Sequence, residues 1–177
     1  MNCSQKKKLS LAILLMMAAS LVFMLGCTKE AKMERHWKKG EAYYTEGKFN
    51  EAIIEYRNVI QIDPKNAQAY YKLGLSYLRV RMFREAFASL NKSVELNPDN
   101  ADARIQIGTL YLLAGDSQKA REQVDKILQK DPNSAPAHIL MGNIFLRNKK
   151  LDEAIAEVKR AIELDQKTAA YFIQLAN

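Results

Sequence analysis

Cysteine is nearly missing from this chain: its 177 residues hold two, Cys3 and Cys27, both at the N-terminal end. No thiol follows Cys27, which excludes a disulfide framework or a thiolate metal site from everything downstream. Histidine is as scarce, and His36 and His138, far apart with no cysteine to help, make a poor metal set. The seven glycines form no phosphate-cradling loop, and neither a nucleophile elbow nor an HExxH segment is present. These absences point away from an enzyme, from a cofactor and from a small-molecule substrate. Nor is there the basic stripe interleaved with aromatics that nucleic-acid binding needs.

Hydrophobic run is concentrated in one place. Lys6, Lys7 and Lys8 precede an uncharged stretch from Leu9 to Leu25, which closes on Gly26-Cys27. A basic start, an apolar middle and a small residue before the cut read as a secretory signal over 1–26 rather than as part of a fold. Met24-Leu25-Gly26-Cys27 resembles a bacterial lipobox, in which the cysteine thiol is acylated before cleavage. That likeness implies lipidation at Cys27, a short linker over 27–32, and attachment to the bacterial cell envelope at the periplasmic face of the outer membrane. The alternative is an uncleaved N-terminal transmembrane anchor, since 17 uncharged, mostly apolar residues stand at the short limit for a span.

The formal charge of +7 owes three lysines to residues 1–26, so the remainder carries +4. Lys29, Lys32, Arg35, Lys38 and Lys39 supply much of that just beyond the anchor and could rest on anionic headgroups. Glu30, Glu34 and Glu41 are interleaved with them, which favours an ordinary solvated face.

What the chain has in abundance is periodicity. Gly40, Gly74, Gly108 and Gly142 recur every 34 residues, and Ala52, Ala86, Ala120 and Ala154 keep the same step. One structural unit repeated four times is implied, at 33–66, 67–100, 101–134 and 135–168, with a partial fifth at 169–177. Within the second unit, Ala69, Tyr70, Leu73, Gly74 and Tyr77 mark one helical stripe, and Phe83, Ala86, Phe87, Leu90 and Val94 mark another. Asp63-Pro64, Asn97-Pro98 and Asp131-Pro132 end the second helix of successive units. Asn66, Asn100, Ser134 and Thr168 are placed to N-cap the helix that follows. Glycine costs a helix interior roughly 1 kcal/mol relative to alanine, so four glycines in one register predict a close helix crossing, with the alanines facing them.

Tyr70, Leu73, Gly74, Tyr77, Ala86, Leu90 and Pro98 resemble the signature of the tetratricopeptide repeat (TPR) family. Departures are local: Ser93 stands for an alanine, Lys39 for a leucine, Arg81 and Lys149 for the turn glycine kept as Gly47 and Gly115, and Gln166 for a proline. The resemblance implies an all-α, right-handed alpha-solenoid of helix-turn-helix repeats, with the first copy acting as a cap. In such arrays the first helices line a concave groove. Carried over by register, the groove holds Trp37 and Tyr44; Tyr71, Leu75, Leu78 and Arg79; Ile105, Thr109 and Leu112; and Ile139, Asn143, Leu146 and Arg147. This lining suits a protein or peptide with apolar anchors and an acidic group. Some of these side chains could instead pack between repeats, and Trp37 could be an end cap; both histidines fall where the family buries a large residue.

Together these features resemble the TPR lipoproteins of Gram-negative envelopes, including those accompanying exopolysaccharide and sorting-signal (PEP-CTERM) export. The function implied is a membrane-anchored scaffold or adaptor for envelope assembly, secretion or exopolysaccharide export. The alternatives are a pilotin-like lipoprotein for a pilus secretin, or the non-catalytic part of a larger envelope enzyme. Because Phe172, Leu175 and Ala176 open a fifth unit that stops at Asn177, a longer natural array is also expected.

Overall fold

The computed structural model describes residues 28–164. The expected leader, Cys27, Gln166, Thr168 and the partial fifth unit lie outside these described residues. Two compact units divide the chain between Lys65 and Asn66, and each is taken by itself.

The first unit is one hairpin, α1 (28–45) and α2 (Phe49–Ile62), joined by a turn through Gly47 in the left-handed region, φ 76°. Gly40 lies against the Tyr56 ring, whose atoms come within 2.8 Å of the point a Cβ at residue 40 would occupy. Lys39 is exposed, whereas Leu73, Ile107 and Met141 at the same repeat position are buried. A lysine there avoids the cost of burying a charge where the other copies bury an apolar side chain.

The second unit stacks three hairpins: α3 (Ala67–Arg79) with α4 (Phe83–Leu96), α5 (Ala101–Leu113) with α6 (Ser117–Leu128), and α7 (Ala135–Arg147) with α8 (Leu151–Leu164). Consecutive hairpins meet through α4 on α5 and α6 on α7, and α5 also touches α7. The all-α solenoid class implied by the family resemblance is the one observed. Among the described residues there is no strand, and no helix is long and apolar enough to cross a membrane.

Helix boundaries follow local chemistry. Asn66 and Asn100 accept the backbone N–H of Ala69 and Ala103, each at 2.9 Å, satisfying one orphan donor of α3 and of α5. Ser134 precedes α7 as expected, yet its side chain makes no cap bond. Its own N–H is held by the Asp131 carbonyl instead, so the turn is closed through the backbone. Asp116, which the repeat register did not single out, caps α6 through the N–H of Lys119 at 3.0 Å.

The alanines at the recurring position are fully or almost fully buried. They are not, however, the side chains that meet the glycines. Gly74 faces Leu90, Gly108 faces Leu140 of the next hairpin, and Gly142 faces Val158. Alanine at 120 and 154 contributes only its backbone carbonyl, at 3.5 and 3.3 Å. The expected glycine–alanine contact is therefore a glycine–large-residue contact, in which a branched side chain fills the room the missing Cβ leaves.

Candidate functional site: the face of the first helices

Helices α3, α5 and α7 carry most of the expected lining, and the repeat places it on one row. Packing claims part of that row. Tyr71 and Leu78 lie against the buried cluster of Leu90, Ala103 and Ile107, which joins the first two hairpins of this unit. Ile105 and Leu112 lie against the cluster of Ala120, Val124, Ala137 and Met141, which joins the next two. These four side chains are half-buried, with one flank in the inter-repeat core. Thr109 turns its hydroxyl back to donate to the Ile105 carbonyl at 2.9 Å.

Leu75 and Ile139 are half-buried, and Asn143, Leu146, Arg79 and Arg147 are exposed. Arg147 also reaches over the preceding turn: a guanidinium nitrogen sits 3.4 Å from where Gly115 would carry a Cβ. Trp37 and Tyr44 belong to the first unit. There Trp37 stands edge-on to Tyr56 with ring centroids 5.7 Å apart, and Tyr44 edge-on to Phe49 at 5.3 Å. Each ring is thus braced within its own hairpin, as edge-to-face pairs are.

A second arrangement escaped the sequence reading. His36 Nδ1 meets Glu55 at 2.5 Å, and three repeats later His138 Nδ1 meets Glu157 at 2.6 Å. Arg104 and Gln123, in the same two repeat positions, are joined at 3.3 Å. The signal was available: in each pair the partners are 19 residues apart, one on each helix of a hairpin. The second nitrogen of His138 faces the Pro132 carbonyl at 3.0 Å, so both ring nitrogens face acceptors. The histidines are half-buried polar clasps between paired helices. No group of three His, Cys, Asp or Glu suited to a metal occurs among the described residues.

Ionisable groups show perturbation at structural positions. Burial, then the hydrogen bond to Glu41 at 2.5 Å, pushes the Tyr56 hydroxyl far above the ordinary phenol range. The Lys119 backbone N–H, and then its ammonium group, hold Asp116 below the ordinary carboxylate value. Both groups brace their own helices, and the row on α3, α5 and α7 presents apolar side chains and guanidinium groups.

Comparison with known proteins bears on the same helices. A family model described as TPR repeat matches residues 40–80, and one described as Tetratricopeptide repeat matches 77–134 and 118–176. A crystal structure of MamA is 29% identical, with a TM-score of 0.69 over 78% of this chain and 81% of that one. YrrB, described as a TPR protein with an unusual peptide-binding site, is 22% identical, with a TM-score of 0.65 over 78% and 73%. The pilF protein of Pseudomonas aeruginosa is 18% identical, with a TM-score of 0.68 over 78% and 63%. The last two likenesses are of fold. No curated protein matches the chain.

Proposed function

The chain belongs to the tetratricopeptide repeat family, and from that premise we propose that it is a membrane-tethered, non-catalytic scaffold that holds another protein of the bacterial envelope. The carrying observation is the contact of α5 with α7, which sets first helices side by side. By the repeat register Leu75, Ile139 and Asn143 belong to one row, and they are half-buried or exposed. An apolar row of this kind with arginines at its end fits a helix or extended segment bearing apolar anchors and a carboxylate. The tether is Cys27, acylated after the signal, which places the repeats at the periplasmic face of the outer membrane in service of assembly, secretion or exopolysaccharide export.

The test uses substitutions that spare the inter-repeat core. In a pull-down from envelope extract, Leu75→Ala, Ile139→Ala and Asn143→Ala combined is expected to lose a partner that the parent recovers, with helicity unchanged by circular dichroism. Equal recovery by a folded variant would reject the groove. Cys27→Ser is expected to abolish labelling by an alkyne fatty acid, and retained labelling would remove the lipid tether.

A further inference from the structure

In the second unit the two helices of each hairpin join at turns 80–82, 114–116 and 148–150, and these turns share one edge of the stack. Phe83, Leu110, Leu113 and Ala114 line a cleft of about 380 Å³ that spans the first two of them. The reach of Arg147 over Gly115 brings the third alongside the second.

Exposed apolar side chains gather on this edge. Phe83 is 51% exposed, Leu113 68%, Leu146 50% and Leu151 60%, and Met82 belongs to the same group. Among the described residues of this unit, no large apolar side chain is comparably exposed at the opposite end of the hairpins. Burial of apolar surface is favourable, and so dense a group of exposed large side chains marks an interaction site.

Basic residues are interleaved with them. Arg81, Arg84, Arg147 and Lys149 are exposed and have no carboxylate partner among the described residues. Of the nearby acids, Asp116 is held by Lys119 and Glu153 by Lys150, while Glu85 and Asp152 are exposed. The cleft therefore has apolar walls beside guanidinium groups whose planar forks match carboxylates.

We infer that this turn edge is a second docking surface, which adjoins the row on the first helices and shares Leu146 and Arg147 with its end, and that its occupant is an acidic amphipathic helix of a protein partner. A large apolar side chain of that helix enters the Phe83–Leu113 cleft, and its carboxylates meet Arg81, Arg84 and Arg147. A concave cleft between two hairpins favours an inserted side chain over a lipid surface, which would rest on the turn tips and leave the cleft unfilled. Arginines beside an apolar pocket are the composition of interface hot spots.

The experiment uses the full chain in phosphatidylcholine nanodiscs, so that the N-terminal apolar segment is accommodated. The probe is a fluorescein-labelled synthetic 18-residue helix with leucine on one face and glutamate on the other, followed by anisotropy. Saturable, salt-weakened binding is expected, reduced by about tenfold or more in Phe83→Ser with Leu113→Ser. Arg81→Glu with Arg84→Glu is expected to reverse the preference towards the same helix built with lysine. Because all four residues are exposed, thermal melts should show the variants folded, and the charge-reversed pair keeps the test open if the serine pair does not fold. Leu75→Ala with Ile139→Ala is expected to leave the probe's affinity unchanged. Unaltered binding in the edge variants, binding lost instead in the Leu75 and Ile139 variant, or no binding at all would overturn the inference. Displacement of the probe by phosphatidylglycerol vesicles would overturn it in favour of lipid. Edge-dependent self-association without probe binding would do so in favour of a second copy.

Discussion

The Cγ atom of Leu90 lies 2.7 Å from the point that a Cβ on Gly74 would occupy, so the crossing of α3 and α4 is closed to a side chain unless Leu90 moves. Cγ is the branch point of a fully buried side chain, not a flexible tip. Two effects of Gly74→Ala compete: better helix propensity contributes about 1 kcal/mol, and overpacking costs about 1–3 kcal/mol. We expect overpacking to win, with net destabilisation of about 1 kcal/mol in urea denaturation. At Gly142 the nearest atom is a Val158 methyl at 3.1 Å, so Gly142→Ala should cost less than Gly74→Ala. A Gly74→Ala protein as stable as its parent would contradict this account of the glycine period.

Arg81 and Lys149 both hold φ 61°, in the place where Gly47 and Gly115 adopt 76° and 89°. The turn therefore keeps its left-handed shape after losing its glycine, and an L-residue there costs roughly 1–2 kcal/mol. Glycine would relieve that strain but lose more freedom on folding, by about 0.5–1 kcal/mol. Lys149→Gly should accordingly raise the melting temperature slightly, and Lys149→Val should lower it, because a β-branched residue tolerates positive φ worst. A melt in which valine matched or exceeded glycine would refute the reading.

These two sites show what the sequence could and could not tell. The 34-residue step, the Asn-Pro and Asp-Pro ends and the Asn66 and Asn100 caps depend on local chemistry, and all were legible. The partner of each glycine was not, because a 3.6-residue period fixes a helix's face but not its axial offset against a neighbour. Ser134 had a capping side chain, yet the backbone closed the turn instead. The His36–Glu55 and His138–Glu157 clasps were missed because the repeat pattern ranks those positions by size, while their polarity pairs across the hairpin. On the candidate face, register indicated the row. It could not separate Tyr71 and Leu78, drawn into the core between hairpins, from Leu75, because that depends on how closely neighbouring hairpins approach.

Asp116 Oδ1 accepts the Lys119 N–H, and Oδ2 lies 3.0 Å from the Lys119 ammonium. The backbone bond first, and the side-chain contact second, lower the carboxyl below its ordinary value of 3.8, while hydrogen bonding to Asp116 raises Lys119. A group with a depressed folded-state value stabilises fully above the unfolded value and loses that stabilisation as pH falls through the folded one. Parent and Asp116→Asn should therefore differ in melting temperature at neutral pH and converge as pH drops below 3.8. Salt should narrow the same gap, since the pair is exposed. No gap at neutral pH would mean that the cap acts through its hydrogen bond alone, which the Asn amide oxygen can also accept.

Ser93 occupies a position where the repeat family carries alanine, and its hydroxyl is buried. It donates to the Ala67 carbonyl at 2.8 Å and accepts from Asn100 Nδ2 at 3.3 Å, while Asn100 caps α5 through Ala103. One hydroxyl thereby ties the start of α3, the end of α4 and the cap of α5. Restoring the family residue should therefore harm the protein: Ser93→Ala is expected to cost about 1 kcal/mol, as is Asn100→Ala through loss of the cap. Since the two share a bond, the double variant should lose less than the two single losses together, by about 0.5 kcal/mol or more. Strict additivity in urea denaturation would mean that Asn100 caps α5 without help from Ser93, and that the serine acts on α3 alone.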